Sequence, residues 1–176
     1  MYVRPKLSFA LVAGACLLFG AAPAAAQVGF GPQVSYAEDF DLGIGARLQF
    51  GMGSLFGDEG IPGSLIGIAA FDLFFPDCGD IDCSYFEFNA NGAYPFAREA
   101  EFSPYLGAGL HFARWSSDAD TGLGDLGEDA TEIGLNLLGG LLYDLGAFSA
   151  FGEGRFEIGG GEQFVLTLGI LFGGGL

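Results

Sequence analysis

Seven ionisable residues sit among small and apolar neighbours in this chain: Arg47, Asp72, Glu87, His111, Glu153, Arg155 and Glu157. Glu153 and Glu157 flank Arg155 at two-residue spacing, which in an extended chain puts all three on one face. Two guanidiniums among carboxylates can form a network of charge-assisted hydrogen bonds. The same residue types can also do acid–base or nucleophilic chemistry, and then His111 matters most. It is the only histidine, so any histidine-dependent reaction must use it. A general base has to lie within about 3 Å of the proton it removes. No serine near His111 shares its phase, and the residue two positions on is Ala113. The acidic stretch 116–130 holds Asp118, Asp120, Asp125, Glu128 and Asp129 and invites a calcium reading. Gly122 and Leu123 stand where a calcium-binding loop of the EF-hand type needs Asp or Asn and then Gly. No metal site and no cofactor is expected. Cys78 and Cys83 bracket four residues, a spacing that suits a local disulfide.

The elements that must position these groups are clearest at Phe40 to Met52, FDLGIGARLQFGM. Leu42, Ile44, Ala46, Leu48, Phe50 and Met52 alternate with Asp41, Gly43, Gly45, Arg47, Gln49 and Gly51. A strict period of two is a β-strand with two unlike faces. The polar face carries glycines, one Arg and one Gln, where a strand facing water would carry Lys, Glu and Thr. Such a face suits a narrow, crowded interior, and the apolar face then looks outward to lipid. The stretch also matches the roughly 9–11 residues of a tilted membrane-spanning strand.

Composition agrees. Mean hydropathy is +0.43, yet beyond the first residues no apolar run approaches the roughly 18 residues of a spanning helix. Arg4 and Lys6, the apolar run from Leu7 to Leu18 and the small residues Ala22 to Ala26 make a secretory signal peptide over 1–26. A lipoprotein signal at Cys16 is disfavoured by Ala13, where an aliphatic residue is usual. Cleavage before Gln27 leaves four arginines, no lysine and all 22 acidic residues, a formal charge of −18. Nucleic-acid binding needs a basic surface and is excluded. With Cys16 removed, Cys78 and Cys83 remain in an oxidising compartment.

The alternation returns eight times over 27–176, the single domain expected here. Val28 to Tyr36 leads into Phe40–Met52, and a third strand over about 65–75 turns Asp72 inward between Phe71 and Leu73. A fourth sets Glu87, Asn89 and Asn91 against Phe86, Phe88, Ala90 and Tyr94. A fifth sets Tyr105, Gly107, Gly109 and His111 against Leu106 to Phe112. The sixth carries Ile133 to Tyr143, the seventh Phe148 to Ile158, and the eighth Phe164 to Phe172. Long acidic loops are expected at 77–83 and 116–130. The fold class that follows is all-β: an eight-stranded antiparallel up-and-down transmembrane β-barrel. An eight-stranded barrel is filled by its own side chains, so the seven ionisable residues form a lumen polar network.

The segments SPYLGAGLHF at 103–112 and EQFVLTLGILF at 162–172 resemble the small outer-membrane barrels, the OmpA- and OmpX-like porin-family proteins, and the likeness spans 27–176. The resemblance implies a Gram-negative cell outer membrane, contact with membrane lipid and lipopolysaccharide, and recognition by the barrel-assembly machinery. It implies a monomer with a structural or surface-interacting role, and a surface ligand reached through the acidic loops. A passive, porin-like channel for small or apolar solutes is the alternative. A lipid-modifying enzyme is the lesser one: outer-membrane lipid A deacylases have this architecture but carry a Ser–His–acid triad on the lipid face, with Ser where this chain has Ala113.

Overall fold

A computed structural model of the chain describes residues 28–53, 65–76, 82–97, 101–118, 128–159 and 162–173. Eight strands follow in order: β1 Val28–Ala37, β2 Asp41–Gly51, β3 Ile66–Phe74, β4 Asp82–Pro95, β5 Phe102–Asp118, β6 Glu128–Asp144, β7 Ser149–Ile158 and β8 Gln163–Leu171. Each pairs antiparallel with its sequence neighbour, and β8 returns to β1, so the sheet is a closed barrel. Closure removes the unpaired edges that an open sheet would expose.

The alternation seen in the sequence is the alternation of inside and outside. Along β1, burial switches at every residue from Gly29 to Ala37. Phe30, Leu42, Ile44, Leu106, Ile133 and Leu168 are more than half exposed on the outer wall. Aromatic residues gather around the end where β1 begins and β8 finishes, here called the terminal end. Phe102 stacks on Tyr143 with ring centroids 4.5 Å apart, Tyr94 meets Phe96 edge-on at 5.5 Å, and Phe172 touches both Phe30 and Phe148. An outward apolar band edged by aromatic rings is the surface that a bilayer solvates.

Turns are built from local polar chemistry. Asp144 Oδ1 accepts the Gly146 N–H at 2.8 Å, and Gly146 takes φ +83°, the left-handed conformation that glycine adopts without penalty. Asp41 also has positive φ, 59°, at the entry to β2, and a short aspartate tolerates it. That turn swings Phe40 off the outer wall and over the mouth of the barrel.

The loop expected over 116–130 is shorter than the sequence suggests. β5 continues to Asp118 and β6 already begins at Glu128, with Ser117 paired to Glu128. β4 likewise starts at Asp82, opposite Asp118, inside the acidic loop expected over 77–83. Backbone pairing persists there because the hairpin rises past the apolar band, where neither face must be apolar and the alternation fades. Residues 1–27, which include the expected signal peptide, and Cys78, Asp120 and Asp125 lie outside the described residues.

Candidate functional site: the barrel lumen

All seven ionisable residues expected to face inward are buried in the lumen, none more than 3% exposed. β2 carries Arg47, β3 Asp72, β4 Glu87, β5 His111, and β7 the run Glu153, Arg155 and Glu157.

Arg47 crosses from β2 to β7, where its Nη1 donates to Glu153 Oε2 at 2.8 Å. The Tyr105 hydroxyl donates to the same Oε2 at 2.8 Å and accepts from Arg47 Nη2 at 3.3 Å. The guanidinium lies 4.3 Å from the Phe151 ring centroid, a cation–π contact in a site away from water. Arg155 reaches across to β4, where its Nη2 donates to Glu87 Oε1 at 2.6 Å, while its Nε donates to Glu157 Oε1 at 2.8 Å on its own strand. Its Nη1 stands 4.0 Å from Glu153 Oε1, which links the two arginine groups. Glu87 also accepts from Asn89 at 2.5 Å, and Glu157 from Gln163 at 2.7 Å. The partners come from β2, β4, β5, β7 and β8, so the network ties walls together across the barrel.

Two members of the inward set stand apart from the arginines. Asp72 Oδ1 accepts from Gln33 at 2.7 Å and from Ser35 at 2.8 Å, while its Oδ2 has no partner. His111 Nδ1 lies 2.9 Å from Asn136 Oδ1, and its Nε2 has no partner. Asn136 Nδ2 in turn donates to Asn89 and Asn91 at 2.7 and 2.9 Å. His111 is therefore held by the Asn136 amide, and among the described residues no hydroxyl or thiol is bonded to it. Among the described residues no cluster of three His, Cys, Asp or Glu side chains is arranged for a metal ion.

The inward phase also carries residues whose part the sequence alone does not show. Gln33, Ser35, Gln49, Tyr105, Asn136, Gln163 and Thr167 all join the network. Phase is the only available signal; residue type hides it, because neutral amides and hydroxyls do not announce a partner. A second omission is larger. The polar middle lies between two apolar layers. Ile66, Ile68, Leu138, Leu142, Phe151 and Leu171 pack together at the terminal end. Ala37, Phe74, Tyr85, Ala113 and Val165 pack at the other end, with Phe40 and Trp115 against them. Among the described residues, then, the axis of the barrel passes through side chains at three successive heights.

No family model matches the sequence, and no curated protein does. Solved structures do match. Neisserial surface protein A is 19% identical with a TM-score of 0.59, over 84% of this chain and 96% of that one. The N-terminal β-barrel domain of Pseudomonas aeruginosa OprF is 14% identical with a TM-score of 0.59, over 84% and 98%. A major outer membrane protein from Thermus thermophilus is 12% identical with a TM-score of 0.62, again over 84% and 98%. The fold is that of the small outer-membrane barrels. Strand number, closure and extent all agree with these neighbours, while the lumen chemistry described above is read from this chain alone.

Proposed function

We propose that this chain is a non-enzymatic outer-membrane barrel with a closed lumen, which serves envelope integrity and makes contacts through its acidic loops. One observation carries the reading: the lumen is filled by an ion-pair layer between two apolar layers. A conduit for small or apolar solutes needs a continuous open path, and each layer of packed side chains interrupts one. The outward apolar band and aromatic belt support residence in lipid, and with it contact with membrane lipid and lipopolysaccharide. The name of one structural neighbour, a surface protein, is consistent with a role in surface contact. Among the described residues His111 is bonded to Asn136 and to no hydroxyl or thiol, the kind of nucleophile that an acyl-transfer reaction uses.

Planar-bilayer recording on the refolded protein tests the closed lumen. Rare, brief openings or none are expected. Steady conductance would replace this reading with the passive channel.

Export through a cleaved signal peptide and a Cys78–Cys83 disulfide belong to the same proposal. Support for the second is that Cys83 does not stand as an unengaged thiol. Intact mass of the membrane form, with and without alkylation, checks both. The chain should begin at Gln27 and take up no alkylating agent until reduced. A mass that includes Met1, or two reactive thiols in the unreduced protein, would remove the corresponding part.

A further inference from the structure

The distal mouth of the barrel, opposite the terminal end, holds an open cavity of about 280 Å³. Phe40, Tyr85 and Trp115 form its aromatic side, Ala113 and Ala130 keep its floor low, and Glu132 stands at its rim. The strand register brings these groups together. Tyr85 pairs with Trp115 between β4 and β5, while Ala113 pairs with Glu132 and Trp115 with Ala130 between β5 and β6. Phe40 arrives from the β1–β2 turn and stacks on Tyr85 with centroids 3.9 Å apart, and it lies 5.6 Å from Trp115.

The aromatic side is fixed rather than loose. Tyr85 is 3% exposed and Phe74 packs beneath it at 5.7 Å. Glu132 is the contrary case, an exposed carboxylate in the inward phase that meets no cation among the described residues. Arg47 and Arg155 are sealed in the middle of the lumen, and Arg114 lies in the outward phase of β5. The turn that carries Phe40 adds Glu38, Asp39 and Asp41, all exposed at the same mouth. Aromatic faces beside a carboxylate attract one class of small molecule. A cation is drawn to the negative faces of the rings, and a weakly hydrated alkylammonium loses little on leaving water. An anion would meet Glu132 at the rim and the carboxylates of the Phe40 turn, and a neutral apolar molecule would leave Glu132 unused.

We infer that this mouth binds a small alkylated ammonium, such as a trimethylammonium headgroup, over the half-buried Phe40 and Trp115 rings, which the buried Tyr85 backs, and beside the Glu132 carboxylate. The site stands on the geometry of the mouth and does not depend on the closed lumen or on the envelope role proposed above.

Trp115 is the only tryptophan in the chain, so intrinsic fluorescence reports from the site itself. The refolded barrel in a maltoside detergent, free of choline headgroups, is titrated with choline chloride, with sodium chloride holding ionic strength constant. Choline should change the Trp115 emission saturably. The neutral isostere 3,3-dimethylbutan-1-ol should bind about tenfold more weakly or worse, since it lacks the charge. Glu132→Gln, an exposed change that leaves the aromatic side intact, should weaken choline by a similar factor, and Phe40→Leu should weaken it independently. Folding of each variant is confirmed by its heat-dependent gel mobility. A linear, unsaturable response, equal binding of the isostere, or unchanged affinity in folded Glu132→Gln would each overturn the assignment.

Discussion

Arg155→Ala is expected to be among the most destabilising single substitutions in the lumen. The guanidinium contacts Glu87 at 2.6 Å and Glu157 at 2.8 Å, and both carboxylates are fully buried. Its removal leaves two buried carboxylates close to each other without the cation that pairs them. Breaking a buried pair by deleting one partner costs about 3–5 kcal/mol, most of it from the charge left behind. Replacement of an exposed carboxylate such as Glu38 by Ala should stay within about 0.5 kcal/mol. The melting of the heat-modifiable form, followed on gels, compares the two. The mechanism predicts a rescue as well. Adding Glu87→Gln and Glu157→Gln to Arg155→Ala removes the stranded charges and should recover much of the loss. Equal shifts for Arg155→Ala and Glu38→Ala would show that the ion-pair layer contributes little.

Gly31→Ala is expected to weaken the seam where the barrel closes. β1 and β8 pair from Gln33–Gly169 to Ala37–Val165, and again at Phe30–Phe172, where the two backbones exchange hydrogen bonds of 3.0 and 2.7 Å. Between them lie Gly31 and Pro32, and proline has no N–H to give. A Cβ at Gly31 would overlap the backbone carbonyl of Ile170, and backbone cannot rotate aside as a side chain can. Overpacking typically costs about 1–3 kcal/mol, and here the strain falls on the stretch with the fewest ladder bonds. Gly92→Ala is the matched control. It makes the same chemical change, and its new Cβ meets nothing closer than Met52 Sδ at 3.8 Å. Gly31→Ala should lower the yield of compact, unboiled protein, and Gly92→Ala should leave it unchanged. Indistinguishable behaviour would mean that the seam is not tightly packed there.

The barrel itself can be read from the residues, because a period of two runs through most of the strand residues and the inward phase holds every charge buried among the described residues. Counting alone assigns Arg47 and Arg155 to that phase. Their partners are not legible. Glu153 is closer in sequence to Arg155 yet bonds Arg47, because the stagger between β2 and β7 sets their relative heights. The apolar layers escape notice for a different reason. In β3, IGIAAFDLF is apolar in both phases over most of its length, so contrast between faces, the signal used elsewhere, vanishes there. Leu138 and Leu142 hide in the same way beside Leu137 and Leu141. At the distal end the opposite failure occurs: Ser116, Ser117 and Asp118 are polar in both phases, and a strand reads as a loop.

The cross-barrel ion pairs also constrain the order in which such a chain can enter a bilayer. Arg47 is in β2 and its carboxylate in β7; Glu87 is in β4 and its guanidinium also in β7. Hairpins laid into hydrocarbon one after another would carry Arg47 and Glu87 through the membrane long before β7 arrived. A lone charge at the bilayer centre is costly, so the half-inserted sheet would be driven to curl and shield them. Closure therefore has to accompany entry, and β7, which holds the answering charges for both, becomes the strand on whose arrival the whole passage turns.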